Sequence, residues 1–289
     1  MLSANQIEKR YGKKTVLNRI SLDLEQKNYG LLGSNGAGKT TLIRILAQIL
    51  AKNGGTVTYF DKNHREIPRK NYQIGYMPQT FEAILEFRVM EQMQYFASLK
   101  KIPKSEQDEA IQKALELVNL TEQAGYQCRK LSGGMMQRLG IAQAILGSPD
   151  LILFDEPTTG LDPEERLRFK GVMRALEGTC TVILSTHIVE DMEAVCSEIL
   201  VLKEGQKQFS GAAETLKNLA RDRVFLLPDG TIRGQSGSWF EIRSVMEEYK
   251  RYSRMLYLGT SPKEAEKTYG AKPVEPTLED GYMYLIKKK

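Results

Sequence analysis

At 289 residues, the chain has room for one large α/β domain and a smaller companion. Its 41% hydrophobic and 27% charged residues are those of an ordinary soluble protein, and 41 Lys+Arg against 36 Asp+Glu leave a net charge of +5, too small to argue for a nucleic-acid partner. No run approaches the roughly 18 apolar residues that a membrane-spanning helix requires.

The start, Met1-Leu2-Ser3-Ala4-Asn5-Gln6, has neither the charged nor the apolar region of a signal peptide, which predicts a cytoplasmic chain. Cys128, Cys180 and Cys196 are odd in number and lack metal-ligand spacing, so they are expected to be reduced and structural. In the first segment Leu2, Ile7, Val16, Leu17, Ile20, Leu22 and Leu24 alternate with polar residues, the pattern of half-buried antiparallel strands. Tyr11 falls in the turn expected between two of them.

The run Tyr29-Gly30-Leu31-Leu32 then enters Gly33-Ser34-Asn35-Gly36-Ala37-Gly38-Lys39-Thr40-Thr41 and a helical stretch, Leu42 to Ala47. A strand that turns through glycines into a helix start offers unpaired N–H groups and a partial positive charge to a phosphate. Gly33, Gly36 and Gly38 let the backbone wrap, Lys39 reaches the β- and γ-phosphates, and the Thr40 hydroxyl suits Mg²⁺. This G-x-x-x-x-G-K-[ST] pattern is the P-loop, and it predicts a nucleoside triphosphate as ligand.

Farther on, Thr56 to Phe60 and Ile74 to Met77 read as strands, the second ending at Pro78-Gln79. His64, among Asp61, Lys62, Asn63 and Arg65, is expected in an exposed loop. From about Phe81 to Gly147 the texture is helical. Val89, Met90, Met93, Phe96, Ala97 and Leu99 recur at helical spacing, as do Ala110, Ile111, Ala114, Leu115 and Val118, and both stripes are expected in the core. Ser132, a good N-cap, stands with Gly133 and Gly134 at a second helix start suited to phosphate. Leu151 to Phe154 read as a buried parallel strand that delivers Asp155 and Glu156 to the end where α/β sheets bind ligands. A buried carboxylate pair calls for a nearby cation, and Mg²⁺ supplies that charge. Asp162 caps a helix opened by Pro163, with Glu165 placed for a capping box. The strand Val182 to Thr186 ends at His187, and that position predicts a functional histidine.

A strand at Ile199 to Leu202, a Glu204-Gly205 turn and a return at Gln208-Phe209 close this part. Beyond Gly211 the chain predicts a small α+β unit. Its expected elements are a hairpin from Val224-Phe225-Leu226-Leu227 through Pro228-Asp229-Gly230 to Thr231-Ile232, a strand at Met255 to Leu258 and a helix from Pro262 to Tyr269. Lys287-Lys288-Lys289 reads as a solvated tail.

Taken in order, these motifs resemble the nucleotide-binding subunit of ATP-binding-cassette (ABC) transporters, from about Leu2 to Phe209. Residues 33–41 match that family's Walker A, Pro78-Gln79 its Q-loop, Leu131 to Met135 its signature, Leu153 to Glu156 its Walker B, Leu161-Asp162 its D-loop and His187 its switch histidine. Tyr11 takes the A-loop place, where an aromatic ring stacks on adenine. Met135 stands where many members carry Gln, and Ser34 where the nearest subgroup has Pro. Neither supplies phosphate-binding groups. Gly30-Leu31-Leu32-Gly33 and Glu275 to Asp280 look most like the exporter branch, whose members commonly move drugs, peptides or lipids.

The resemblance implies an α/β P-loop NTPase fold of the ABC type, with a mixed-sheet core, an antiparallel β subdomain and a helical subdomain at about 81–147. Residues 1–211 would form the nucleotide-binding domain and 212–289 a small α+β accessory domain. It implies ATP and Mg²⁺, with Thr40, Gln79 and Asp155 holding the metal, Glu156 as general base and His187 on the γ-phosphate. Ser132, Gly133 and Gly134 would cover ATP bound to a second nucleotide-binding subunit, identical or not. A separate transmembrane permease would hold the chain on the inner face of the membrane, docked beside Phe81, Phe87 and Met90. Repair-type relatives place hundreds of coiled-coil residues between Walker A and the signature, and translation-type relatives carry two cassettes. Neither pattern occurs here. An importer subunit with a regulatory tail is the remaining alternative.

Overall fold

Alternation in the opening residues builds an antiparallel sheet. β1 (Leu2–Tyr11) pairs with β2 (Lys14–Leu24) and with β4 (Gly54–Phe60), and β4 with the short β5 (Glu66–Ile67). Leu2, Ala4 and Ile7 of β1 and Leu17, Ile20, Leu22 and Leu24 of β2 turn to one buried face. Tyr11 ends β1 opposite Lys14, so it closes the strand and is not itself the turn.

The second sheet has six strands in the order β10-β9-β3-β8-β7-β6. They are β3 (Asn28–Leu32), β6 (Ile74–Met77), β7 (Leu151–Asp155), β8 (Thr181–Ser185), β9 (Glu198–Lys203) and β10 (Gln206–Ala212). Every residue of β3, β7 and β8 is buried, as expected of central parallel strands covered on both faces. Between the sheets lies α1 (Lys39–Leu46), whose Leu42, Ile43, Ile45 and Leu46 join the core of both. Burying each such side chain contributes roughly 1.5–3 kcal/mol.

Three longer helices follow: α2 (Val89–Leu99), α3 (Lys104–Leu117) and α4 (Gly133–Ile145). Helical texture was expected from Phe81, yet residues 81–88 form no helix. α2 begins only at Val89, where the Arg88 N–H donates to Glu91 Oε2 at 2.7 Å. Phe81 lies across α4 instead, its ring 2.8 Å from where a Cβ on Gly140 would stand. Of the expected core stripe, Val89, Met93 and Ala97 are buried, while Leu99 at the last turn is 57% exposed. Farther along the chain come α5 (Pro163–Leu176) and α6 (Val189–Glu193).

The structure, a computed structural model, describes residues 1–61, 63–231, 238–247 and 250–288. They form two compact units, Met1–Ser210 and Gly211–Lys289. In the second, β11 (Val224–Pro228), β12 (Trp239–Glu247), β13 (Lys250–Tyr257) and β14 (Lys272–Pro273) make a sheet ordered β12-β13-β11-β14. The helices are α7 (Ala213–Asn218), α8 (Pro262–Tyr269) and α9 (Leu278–Lys287). β11 pairs with β13 and β14, where a local hairpin onto Thr231-Ile232 was expected, and Ile232 lies outside the described residues. Lys62 and Lys289 also lie outside them. Phe225 and Leu227 face one cluster with Trp239, while Val224 faces another with Leu256 and Tyr284, the period-2 division of a sheet covered on both sides. Buried Arg254 reaches Asp280 at 2.6 Å, and the same carboxylate accepts the Thr277 N–H at the start of α9. Among the described residues no helix is long and apolar enough to cross a membrane.

Candidate active site

β3, β8, β7 and β6 are parallel, so their carboxyl ends leave the sheet on the same side. There the 33–38 loop, Asp155-Glu156, Ser185 to His187 and Gln79 converge. A cleft of about 410 Å³ is lined by Tyr11, Asn35, Gly36, Gly38, Lys39, Thr40, Thr41, Gln79 and Glu156, together with Lys14 and Val16.

The loop is built by its glycines. Gly38 has φ +105°, and a Cβ on it would meet Leu17 at 2.7 Å and the Val16 carbonyl at 3.0 Å, so a larger residue is excluded on both counts. Ala37 is buried; its N–H donates to Ser34 O, and its carbonyl accepts the Gly205 N–H at 3.1 Å, which anchors the loop to the β9–β10 turn. No side chain caps α1, so its first N–H groups remain available to an anion. Lys39 is buried and its Nζ donates to Gly33 O at 2.7 Å. Burial lowers its pKa from the ordinary lysine value, while the charges of Glu156 and Asp155 act the other way.

Asp155 is buried at the end of β7. Its Oδ1 accepts Ser185 Oγ at 2.7 Å and Thr40 Oγ1 at 3.2 Å, and its buried Oδ2 has no hydrogen-bond partner. That orphaned oxygen beside a threonine hydroxyl fits a small hard cation, which takes oxygen ligands and shares its coordination with phosphates. Among the described residues no cluster of three or more His, Cys, Asp or Glu would hold a metal without such help. Glu156, next in sequence, has φ +56°, and its Oε2 receives Thr159 Oγ1 at 3.0 Å and lies 2.7 Å from His187 Nδ1. An ionised carboxylate only accepts, so in this pair His187 is the donor, from Nδ1. Tyr11 stands at the cleft's rim, 51% exposed, with Lys9 Nζ 5.1 Å from its ring centre.

Ser132, Gly133 and Gly134 are not part of this cleft. Ser132 caps α4, its Oγ accepting the Met135 N–H at 3.2 Å. Asp162 likewise caps α5 through the Glu165 N–H, but Glu165 does not complete the expected capping box. Its carboxylate lies 3.2 Å from Arg138 Nε on α4 and 3.3 Å from an Arg168 guanidinium nitrogen on its own helix, so its charge is shared between two guanidinium groups.

Ser185, Thr159, Gln137 and Glu165 carry contacts that the sequence reading passed over. Gln137 of α4 donates to Pro157 O at 2.7 Å, directly after Glu156. A polar residue closing the apolar run Val182-Ile183-Leu184 was the available signal for Ser185.

A phosphate-binding loop between a parallel strand and a helix, faced by two acids at the end of another strand of the same sheet, defines a P-loop nucleotide hydrolase fold. The family model for ABC transporters matches residues 17–159. The uncharacterized ABC transporter ATP-binding protein YxlF of Bacillus subtilis is 33% identical over 261 residues, 89% of this chain and 86% of that one. The Nod factor export ATP-binding protein I of Cupriavidus metallidurans is 33% identical over 219 residues, covering 75% and 72%. Among solved structures, the ATP-binding subunit of an ABC transporter superposes with TM-score 0.67 at 24% identity, over 75% of this chain and 92% of its own. A dimeric bacterial ABC transporter cassette gives 0.64 at 23% identity, covering 73% and 98%. The chain therefore belongs to the ATP-binding proteins of ABC transporters, and its enzyme class is ATPase.

Proposed function

We propose that the chain powers export of a peptide, drug or lipid-like substrate through a separate transmembrane subunit, working as one half of a pair of nucleotide-binding subunits. The observation that carries the ATPase half of this reading is the contact of His187 with Glu156 beside Lys39 and the uncapped start of α1. Export is supported by the likeness to Nod factor export proteins. Pairing is supported by the signature residues Ser132 to Gly134, which stand outside the cleft of their own chain.

In this reading the α1 amides and Lys39 bind the β- and γ-phosphates, and Tyr11 stacks on the base. Thr40 and Asp155, with Gln79, would hold Mg²⁺, and the metal would supply positive charge against that of the triphosphate. Glu156 accepts a proton from the attacking water, and His187, fixed through Nδ1, presents Nε2 to the γ-phosphate. Ser132, Gly133, Gly134 and Asp162 of one subunit complete the site of its partner. Release of the γ-phosphate removes those contacts and reopens the pair.

The half-buried Phe87 and Met90, with Phe81, form the proposed permease contact, and the chain then sits at the inner face of the cell membrane. Copurification with the membrane subunit, followed by screening compounds for stimulation of phosphate release, tests the proposal. Export predicts stimulation by an amphipathic substrate without any binding protein. Stimulation only in the presence of a solute-binding protein overturns export in favour of import.

A further inference from the structure

We propose that Ser185 is a positioning residue that sets both acids of the site with one hydroxyl. The inference rests on the reading above, in which Asp155 holds the metal and Glu156 activates water.

Asp155 and Ser185 are register partners on the adjacent parallel strands β7 and β8. Ser185 is buried, and its Oγ lies 2.7 Å from Asp155 Oδ1 and 3.1 Å from the Glu156 N–H. A serine hydroxyl has one hydrogen and two lone pairs. The hydrogen goes to the carboxylate, which only accepts, so a lone pair faces the amide. The hydroxyl is thereby a donor to the first acid and an acceptor for the backbone of the second.

Two consequences follow. Asp155 is rotated so that Oδ1 is held by the protein, through Ser185 and Thr40, while Oδ2 is left without a partner. Partners that orient a ligating carboxylate govern how tightly the metal is held. In addition, the Glu156 N–H is held jointly by the hydroxyl and by the Ser185 carbonyl at 3.0 Å, which fixes a residue at φ +56° where a non-glycine residue is uncommon. His187 follows two residues later on the same strand end, so a single strand terminus aligns the metal-binding acid, the base and the histidine.

The test is ATP binding by calorimetry with Mg²⁺ and with EDTA, on the whole chain carrying Ser185→Ala. In this variant the Glu156 N–H keeps the Ser185 carbonyl, so the fold is expected to survive with an unchanged Tm. Affinity in EDTA is expected to match wild type, while the gain in affinity produced by Mg²⁺ falls about tenfold or more, with kcat reduced alongside. Ser185→Cys, close in size but a weak donor, is expected to lie between the two and serves if the alanine variant is unstable. A full Mg²⁺-linked gain and wild-type kcat in either variant overturns the proposal. Asp155→Asn run in parallel separates the two failures. If it too keeps the full gain, the assignment of Asp155 to the metal is what fails.

Discussion

The molecule has two glycine-rich helix starts, and they are built differently. The first, at α1, has no side-chain cap, three loop glycines at positive φ, a buried lysine folded over it and two strand ends bringing acids and a histidine around it. The second, at α4, is capped by Ser132, has open space beside Gly133 and has the Glu165 carboxylate of α5 packed against Gly134. Its helix is instead tied to the segment after Glu156 and to α5, Gln137 donating to the Pro157 carbonyl and Arg138 pairing with Glu165. The first start is a site. The second, in the function proposed above, is a surface that acts on a neighbouring molecule.

The largest effect that tests this difference is on chemistry. Glu156→Gln is expected to lower the rate of phosphate release by about 10²–10⁴-fold while ATP still binds and paired chains accumulate. A rate near wild type removes Glu156 from the chemistry. Next is the tie between α4 and α5. Glu165→Ala leaves Arg138 buried with only the carbonyls of Val118 and Asn119, and is expected to cost about 3 kcal/mol in urea unfolding, the low end for a broken buried pair. A cost within error of zero means the two helices are not coupled through this pair.

Lys39→Ala is expected to weaken ATP binding by roughly ten- to a hundredfold, the worth of a charge-assisted hydrogen bond. Undiminished affinity by calorimetry would erase the distinction between the two starts. The far end of α4 supplies a pH test. Lys100 Nζ donates to Gln143 O, Ala144 O and Leu146 O, and burial lowers its pKa to about 8 from 10.5. Between those values the unfolded chain binds the proton and the folded chain does not, so stability rises with pH, by at most about 1.4 kcal/mol per unit. Chemical denaturation from pH 8 to 10 measures the slope, and Lys100→Met should flatten it. The smallest effect is Ser132→Ala, about 1 kcal/mol for a lost cap. It should leave ATP binding to the single chain unchanged while weakening pairing, and an equal loss of single-chain affinity would place Ser132 in its own cleft.

The strands around the first start were legible because their signals are local. Leu151 to Phe154 and Val182 to Leu184 are short apolar runs with a polar end, the pattern of a buried parallel strand. The reading went astray where a signal was shared between structures. Residues 81–88 carry apolar side chains at loose helical spacing, yet Phe81 is claimed by the space beside Gly140 on another helix. In the second unit, β12 was missed because Trp239, Phe240 and Ile242 are interspersed with Glu241 and Arg243, and α9 although Thr277 and Asp280 spell a capping box.

The residues themselves spelled the phosphate loop and the strands that end at Asp155, Glu156 and His187, because backbone conformation and apolar runs are properties of short stretches, and the fold class followed from the family these motifs resemble. Tertiary structure alone decided which oxygen of Asp155 stays without a partner, that Ser185 spans two acids, and that Glu165 reaches Arg138 on α4 as well as Arg168 on its own helix. Those outcomes depend on which groups from distant segments reach the same few ångströms, and no local pattern encodes that competition.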